Sequence, residues 1–554
     1  APGVVSDGAP GVVSDGAPGV VSDGAPGVVS DSAPDPTSEI AAPDTPVGVA
    51  SGPRVQRPRV LRRRVLLGAG IATGVASITL GPVGFVPSAS GTTRSKTVTG
   101  HFDPGAPDYA YLPVEVPRGT NKIAVEYSYS RPTVPSGTRG NACDIGIFDE
   151  RGARLGGEGF RGWSGGARTS FEISASAATP AYLPGPVGPG TWHVVLSPYT
   201  VAPQGLDYTV TVTLTFGEPG EPYRPRYPPE RAAGRGLSWY RGDSHLHSVH
   251  SDGQRTPAQI AAGARAHGLD FITTTDHNTS SAHAAWAEYT GDDLLVITGQ
   301  EVTTRNGHYL ALGLPGGEWV DWRYRVADNQ LARFVGQIHR AGGLFVPAHP
   351  YGTCPACNWK FGYELADAME VWNGTWKPDD ESSVALWDGF LVDSLRSNSR
   401  WLPAMGNSDA HSDANVIGLP QTVVRAPELS RDAVIAGIAA GRSWLAESSS
   451  VALTFTVSGD GRTAQIGDRL PVESGATVTA RVEVSGVPDG RVRVITDRGE
   501  LHAESLPAGG SGTITWRTTP QYSAYVRIEV RHDDADASPP YGTMAALTNP
   551  IFLG

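Results

Sequence analysis

The stretch that decides the fold begins at Asp243–His247, which reads D-S-H-L-H. Two later stretches carry the same kinds of side chain: Thr275–Asn278 reads T-D-H-N, and Asp409–His411 reads D-A-H. Each lies at the end of a short apolar run or just after one, so we predict that each follows a β-strand. Because side chains alternate between the two faces of a strand, His245 and His247 point to the same side. The pattern therefore predicts that both imidazoles can bind one metal ion.

Three further side chains of the same chemistry lie between these stretches. They are Glu301, His308 and His349, and each also falls near the end of an apolar run. Neutral imidazoles and carboxylates are ligands that Zn, Mn and Fe share. The number of candidate ligands is too high for one tetrahedral ion, so the sequence predicts a multinuclear metal centre.

The region around these residues alternates between strand-like and helix-like segments. Helices are predicted over Thr256–His267, Asp328–Arg340 and Arg431–Ala440; the first has Thr256 as N-cap and Pro257 in its first turn. Strands are predicted to lead into His245, Asp276, Glu301, His349, Glu370 and Asn407, with Tyr309–Leu312 as one more. This alternation favours an α/β barrel, in which catalytic residues gather at the carboxyl ends of the strands.

Four segments, in order, carry a specific resemblance. They are His245–His247 with Ser251–Gly253, Thr275–His277, Pro347–Pro350 and Ser408–His411. With these motifs, about 210 residues resemble the polymerase and histidinol phosphatase (PHP) metallohydrolases. The resemblance implies a distorted seven-stranded (β/α)7 barrel over residues 238–450 and two to three divalent metal ions, which are Zn, Mn or Fe.

The resemblance also implies a set of ligands for each ion. One ion would be held by His245, His247, Glu301 and Asp409. Glu301 would bridge to a second ion, which His308 and His349 also bind. A third ion would be held by Asp252, His277 and His411. Among these residues, Glu301, Asp409 and His349 are expected to be catalytic.

Several polar residues near the motifs have other interpretations. Asp243 and Asp276 are predicted to orient ligand histidines from behind. Arg305, near His308, is a candidate contact for an anionic substrate, although a solvated arginine is the simpler interpretation. We assign the remaining histidines of interest to the surface or the core rather than to the metal centre: His101, His250, His267, His283 and His339. Of these, His250 lies close enough to Asp252 to keep a possible role.

The expected reaction is hydrolysis by a metal-activated water, without a nucleophilic Ser or Cys. The resemblance most often implies phosphoesterase activity, as a phosphatase or as a 5′-3′ exonuclease-like phosphodiesterase on nucleotides or short nucleic acid. The segment Glu370–Gly374, the export signal and the flanking β-domains instead resemble the branch with carbaryl (carbamate ester) hydrolases, which implies a carboxylic or carbamate ester as substrate. A secreted binding protein with a vestigial barrel is the third alternative.

β-rich regions flank the predicted barrel. Residues 97–217 alternate in polarity along several segments and predict a β-sandwich. Its role is either to bind substrate or a surface, or to pack against the barrel. A Pro-rich linker is predicted over residues 218–237, and a second small sandwich over residues 451–554.

The N-terminal region predicts no folded domain. Residues 1–32 repeat an octapeptide, A-P-G-V-V-S-D-G, and residues 1–53 are predicted to be disordered. Residues 54–90 contain Arg62–Arg64, then an apolar run, then Ser88–Ser90, which is typical of a twin-arginine export signal. The alternative is a membrane anchor over residues 65–86. Either interpretation predicts an extracellular or cell-surface protein.

The net charge limits the kinds of partner that the chain can bind, and the number of cysteines limits the kinds of metal site that it can form. The net charge is -12, which argues against an extended nucleic-acid surface but not against a small anionic or ester substrate, including nucleotide or oligonucleotide ends. The chain has three cysteines, so no second pair exists that would complete a structural zinc site of four thiolates with Cys354 and Cys357. We favour a disulfide between these two, with two free thiols as the alternative.

Overall fold

The computed structural model of the protein describes residues 86–87, 93–533 and 542–554. The repeat segment 1–53 and nearly all of the predicted export signal or anchor therefore lie outside the described residues. Within the described part of the chain, no helix is both long and apolar enough to cross a membrane.

The N-terminal region consists of two antiparallel sheets. Its strands are β1 (Val86–Pro87), β2 (Thr93–Phe102), β3 (Ala110–Val116), β4 (Thr120–Tyr129), β5 (Ala142–Phe148), β6 (Phe160–Gly165), β7 (Ser170–Ser174), β8 (Gly190–Thr200) and β9 (Leu206–Phe216). One sheet has the order β1-β2-β9-β4-β7 and the other β3-β8-β5-β6. Buried side chains from both sheets form one core, as the alternating polarity of the sequence predicts.

The central region holds nine strands and four α-helices. The strands are β10 (Ser238–Asp243), β11 (Phe271–Thr274), β12 (Leu295–Thr304), β13 (Gly307–Leu312), β14 (Leu344–Pro347), β15 (Met369–Asn373), β16 (Ala404–Asn407), β17 (Gln421–Ala426) and β18 (Ser443–Ala446). The helices are α1 (Pro257–Ala266), α2 (Leu331–Arg340), α3 (Pro378–Ser397) and α4 (Arg431–Ala439). Two short 3-10 helices lie at Ala285–Glu288 and Val326–Asp328.

These central strands form two hydrogen-bonded sheets. Seven of them follow the order β14-β13-β12-β11-β10-β17-β18, and β15 pairs with β16 in parallel. Strands β10, β11 and β12 are parallel, whereas β13 runs antiparallel to both of its neighbours. Among the described residues the strands do not form one continuous seven-stranded (β/α)7 barrel. The departure begins at β12, which turns straight back into β13 at Gly307, where φ is 118°, instead of leading into a helix.

Side chains connect the two sheets where backbone pairing stops. The hydroxyl of Thr422 on β17 accepts from the amide of Gly406 at 3.0 Å and donates to its carbonyl at 2.7 Å. The buried amide of Asn549 accepts from the Ala404 amide at 2.8 Å and donates to Ala404 O and to Ser443 O. Side-chain hydrogen bonds thus hold β16 beside β17 and β18.

The predicted helices are confirmed, with two changes. Helix α1 begins after Thr256, whose hydroxyl accepts from the Gln259 amide in a capping box. Helix α2 begins at Leu331 and not at Asp328, because Asn329 has a left-handed backbone, with φ of 52°, that interrupts the helical segment. Helix α3, with 20 residues, is not among the predicted helices.

The C-terminal region continues the central sheet. Its strands are β19 (Ala452–Gly459), β20 (Arg462–Gln465), β21 (Arg469–Leu470), β22 (Val478–Ser485), β23 (Gly490–Thr496), β24 (Gly499–Ser505), β25 (Gly512–Thr518), β26 (Tyr525–His532), β27 (Met544–Thr548) and β28 (Ile551–Leu553). One sheet has the order β20-β19-β22-β25. The other joins the central region because β27 pairs with β18, and buried side chains of these two sheets form one core.

Candidate metal centre

The predicted histidine pair lies just beyond the end of β10. The backbone stays extended there because Leu246 forms a parallel bridge to Ala410. The two imidazoles point the same way: Nε2 of His245 lies 3.3 Å from Oδ1 of Asp409, and Nε2 of His247 lies 3.0 Å from the same oxygen. The alternation predicted from the H-x-H spacing thus brings both rings to one point.

Glu301 lies at the centre of the site, buried within β12. Its Oε2 is 3.2 Å from Nε2 of His245 and 3.3 Å from Nε2 of His247. Its Oε1 is 3.0 Å from Nδ1 of His308 and 3.1 Å from Nε2 of His349. The two oxygens of one carboxylate therefore face two separate groups of histidines.

A third group lies on the other side of His247. Nε2 of His277 is 3.6 Å from Oδ1 of Asp252, and Nε2 of His411 is 3.4 Å from the same oxygen. The ring of His247 stacks on that of His411, with centroids 3.9 Å apart. His247 therefore adjoins both the first and the third group.

The donor atoms fall into three sets, each compact enough for one ion. The sets are His245, His247, Glu301 and Asp409; Glu301, His308 and His349; and His247, Asp252, His277 and His411. Within each set the donor atoms lie within 4.8 Å of one another. The structure thus brings together all nine residues predicted as ligands, and it adds His247 to the third set.

Several buried donor atoms in these sets have no hydrogen-bond partner. They are Nε2 of His245, both ring nitrogens of His247, Oε2 of Glu301, Nε2 of His308 and Oδ1 of Asp409. A buried polar atom without a partner costs about 1–3 kcal/mol. Nitrogen and carboxylate oxygen are the donors that divalent transition metals accept in proteins. The residues therefore fit divalent cations.

The electrostatics of the site favour cations as well. Burial alone would raise the pKa of Glu301, but the neighbouring His277 and His245 outweigh burial and hold that pKa well below its ordinary value. Burial would likewise raise the pKa of Asp409, and His245 and His247 hold it well below the ordinary range. Both carboxylates are therefore ionised in a buried site, where they attract positive charge.

Two ligand positions have an unusual backbone. The φ angle is 27° at His349 and 50° at Asp409, in the left-handed region that residues other than glycine rarely adopt. The chain is held there by neighbouring contacts: the amide of His349 donates to Glu370, and the amide of Asp409 donates to the carbonyl of His245. Strain of this kind clusters at functional sites.

Glu370 supports the centre and was not among the predicted site residues. Its Oε1 lies 3.0 Å from Nδ1 of His245 and accepts from the amide of Asn407 at 2.9 Å. Its Oε2 accepts from the His349 amide and from the side chain of Asn373. Glu370 therefore fixes the ring of His245, with Nε2 directed at the centre. In the sequence, its signals were its place at a predicted strand end and the resemblance of the segment Glu370–Gly374 to the carbaryl hydrolase branch.

Asp243 and Asp276, the two carboxylates predicted to orient ligand histidines, accept hydrogen bonds from backbone amides and serine hydroxyls. Asp243 accepts from the amides of His245, Ser408 and Gly418, at 3.3, 3.1 and 2.8 Å. Asp276 accepts from Ser248 and Ser251, which fixes the loop between His247 and Asp252. Both are buried, and neither contacts a ligand ring through a hydrogen bond in the described residues.

A cavity of about 560 Å³ opens over the three sets of donors. One wall is built by the N-terminal sandwich and includes Tyr109, Asp144, Trp163, Ser197 and Tyr199. Arg305 also lines the cavity, but its guanidinium donates to Tyr199 O and Ser197 Oγ. Arg305 is therefore bound to the sandwich and is not the solvated arginine of the simpler interpretation.

The C-P-A-C loop lies at the same cavity. Cys354 and Cys357 form a disulfide, and both line the cavity together with Pro355. The hydroxyl of Tyr199 donates to Pro355 O at 2.6 Å, which fastens this loop to the sandwich. The third cysteine, Cys143, is free and buried in the sandwich core.

The histidines assigned to surface or core lie outside the three sets. His283 is buried and bonded at both ring nitrogens, to Gly299 O and to the amide of Gly317. His339 pairs with Asp367, and His101 pairs with Asp207. His250 bonds to Ser281 at 2.9 Å.

Comparisons with known proteins give matches only among solved structures. No protein-family model matches the sequence, and no curated protein matches it. A two-domain protein from Bacteroides vulgatus, described as containing a predicted PHP-like metal-dependent phosphoesterase, is 17% identical over 59% of this chain and 100% of its own, with a TM-score of 0.33. A candidate metal-dependent phosphoesterase from Bifidobacterium adolescentis is 18% identical over 38% of this chain and 96% of its own, with a TM-score of 0.25.

A third similar structure is an amidohydrolase from Chromobacterium violaceum with bound sulfate and no metal. It is 20% identical over 32% of this chain and 89% of its own, with a TM-score of 0.24. At these TM-scores, similarity to a solved structure does not identify an activity.

Proposed function

We propose that this protein is a metal-dependent hydrolase of the PHP type that cleaves phosphate esters. The observation that carries the proposal is the position of Glu301, whose two oxygens face two groups of histidines about 3 Å away. A carboxylate placed in this way can bridge two cations, and both cations can then contact one substrate.

The chain's own residues would hold three ions and keep their ligands in place. Divalent cations held there would acidify water and take up negative charge from phosphoryl oxygens. Glu370 keeps Nε2 of His245 directed inward, and the backbone contacts of Asp243 keep Asp409 beside it. In the reaction, water oxygen adds to phosphorus, the bond from phosphorus to the alcohol oxygen breaks, and the alcohol leaves with a proton.

Phosphate suits this site better than a neutral ester. Each of the three sets of donors contributes side chains to the lining of the cavity, so several substrate oxygens can be contacted at once. A phosphoryl group offers three such oxygens, whereas an acyl group offers one. The hydrolysis of a carboxylic or carbamate ester is the alternative that the substrate test has to exclude.

The test is a substrate panel with metal analysis. We expect turnover of p-nitrophenyl phosphate or bis-p-nitrophenyl phosphate after loading with Mn, Fe or Zn. Turnover of naphthyl carbamates alone would show an ester hydrolase instead. Bound metal without turnover of any compound would contradict the enzyme assignment and favour a binding protein.

Glu301→Gln tests the metal centre itself. The amide removes the charge shared between two sets of donors, so we expect loss of bound metal and a fall in kcat of about 1000-fold or more, about 4 kcal/mol. The measurements are elemental analysis and kcat on the best substrate. Glu318→Gln, at an exposed position, is the control and should change neither. Full activity in Glu301→Gln would overturn the shared-ligand assignment.

A further inference from the structure

Asp144 brings a carboxylate from the sandwich into the cavity of the metal centre. It lies on β5, where its neighbours Cys143 and Ile145 are fully buried in the sandwich core. Because side chains alternate along a strand, Asp144 points to the opposite side, and there it lines the cavity. His277 and Asp252, on the metal side, line the same cavity.

The carboxylate of Asp144 has no hydrogen-bond or ion-pair partner among the described residues. Burial raises its pKa to about 6, and the nearby Arg305 is the largest opposing influence. Asp144 is only partly exposed, at the wall of the cavity, and a partly shielded carboxylate without a protein partner can take its partner from a ligand. Gly166 lies beside this carboxylate: a Cβ at that position would be in van der Waals contact with Oδ1 of Asp144, at 3.4 Å.

Arg305 does not fill this role. Its guanidinium donates to Tyr199 O and Ser197 Oγ and lies 4.1 Å from the centre of the Tyr199 ring. Its closest carboxylate is that of Asp108, at 3.8 Å. The hydrogen bonds of Arg305 therefore go to Tyr199 and Ser197 and its ion pair goes to Asp108, so none of these contacts occupies the carboxylate of Asp144.

Aromatic rings line the cavity next to Asp144. The ring of Trp163 lies over Gly146, two residues along the same face of β5, where a Cβ would be only 2.6 Å from the ring. Trp322 and Tyr109 pack on Trp163, with ring centroids 4.8 and 6.3 Å away. A carboxylate beside aromatic rings is an environment that suits a cationic nitrogen, through charge pairing and cation–π attraction.

We propose that Asp144 binds an ammonium group on the alcohol part of the substrate, so that the preferred substrates are phosphate esters of amino alcohols. The inference rests on the proposed phosphoesterase, because it places the phosphate on the metal side of the cavity. The two ends of such a substrate carry opposite charge, and the two walls of the cavity carry the complementary charges. The sandwich thus selects the alcohol that leaves.

Binding of two phosphonates that differ only in the amine tests this inference without requiring turnover. The probes are 2-aminoethylphosphonate and ethylphosphonate, titrated calorimetrically into the metal-loaded full-length protein. We expect the amine to be bound at least about tenfold more tightly, about 1.4 kcal/mol. In Asp144→Asn we expect this preference to fall within about twofold, while the affinity for ethylphosphonate and the metal content stay unchanged.

Two further variants serve as a control and as a second test of the Asp144 site. Asp103→Asn removes an exposed carboxylate of the same sandwich and should keep the preference. Gly166→Ala places a methyl group 3.4 Å from Oδ1 of Asp144 and should weaken binding of the amine more than that of ethylphosphonate. If Asp144→Asn does not retain metal, Gly166→Ala decides the question, and equal effects on both probes there overturn the inference.

Hydrolysis of phosphate esters and preference for the amine are measured separately, so the role of Asp144 and the phosphoesterase activity can fail independently. Hydrolysis of phosphate esters without any preference for the amine would leave the proposed function standing and overturn the role of Asp144. A preference that depends on Asp144, without hydrolysis of any phosphate ester, would support this binding site and contradict the phosphoesterase. If the protein neither hydrolyses phosphate esters nor prefers the amine, the proposed function and the role of Asp144 are both overturned.

Discussion

At the residue scale, the side chains that hold the candidate ligands in place matter as much as the ligands themselves. His245 has a carboxylate on each side: Glu370 at Nδ1, 3.0 Å away, and Glu301 and Asp409 at Nε2. A carboxylate behind a ligand histidine fixes its ring orientation and raises its basicity. Glu370 therefore acts on the centre through His245, as a positioning residue.

Glu370→Gln should lower metal affinity or kcat by about 10–100-fold, because a carboxylate that orients a metal-binding histidine contributes that much. The amide keeps the shape of the side chain, so the fold should be preserved. Metal titration and steady-state kinetics provide the measurement. Glu364→Gln, at an exposed position, is the matched control. Unchanged metal affinity and unchanged kcat would contradict the role of Glu370.

His283 predicts a dependence of stability on pH. Burial lowers its pKa to about 4 from an ordinary 6.5, so the folded protein binds this proton less readily than the unfolded chain. Above pH 6.5 this histidine is neutral in both the folded and the unfolded state, so the free energy of unfolding does not depend on its titration. As pH falls from 6.5 towards 4, the free energy of unfolding decreases by up to about 3 kcal/mol. Denaturant unfolding of His283→Gln should show a smaller loss than the wild type over this range. An identical loss in both proteins would refute the prediction.

The sequence was informative about the candidate ligands because their residue types and spacing carry the signal. The pair His245 and His247 needs only the period of a strand to converge. The role of Glu370 was not predictable in this way, because its contact with His245 joins residues 125 positions apart. The same holds for Asp144, which reaches the cavity only because the sandwich packs against the central region.

At the scale of elements, the start of a helix was easier to predict than a helix whose buried face carries polar side chains. Helix α1 was predictable from Thr256 and Pro257, which mark its first turn. Helix α3 was missed because its buried face includes Asp380, Ser383 and Ser394. Those polar residues obscure the apolar period from which a helix is predicted.

Asn549 connects elements that no backbone pairing joins. It is fully buried and bonds to Ala404 on β16 and to Ser443 on β18. Asn549→Ala should therefore destabilise the protein by about 2–4 kcal/mol, since several buried backbone groups lose their partner. Thermal unfolding measures the effect, with the exposed Gln521→Ala as control. A change within experimental error would show that water replaces the amide.

At the scale of the whole molecule, one apolar core crosses all three regions. It includes Phe160 from the sandwich, Trp322 from the central region and Phe552 from the C-terminal strands. The ring of Phe160 stacks on that of Trp319, with centroids 4.2 Å apart. A core shared in this way predicts that the regions unfold together.

Calorimetry of the full chain should accordingly show one main transition. Phe160→Ala, at the contact between regions, should lower the stability of that transition by about 3–5 kcal/mol. Ile173→Ala, deep in the sandwich core, should lower the same transition, by about 2–5 kcal/mol. Two separate transitions, of which Ile173→Ala shifts only one, would show that the sandwich unfolds independently.

The cavity has a further consequence for how this protein can diverge. Its sandwich wall comes from residues 109–199, whereas the donors of the metal centre come from residues 245–411. Substitutions in the first stretch can change the shape and charge of the cavity while the donor residues remain intact. Evolution can therefore alter which molecules enter the cavity independently of the donor set.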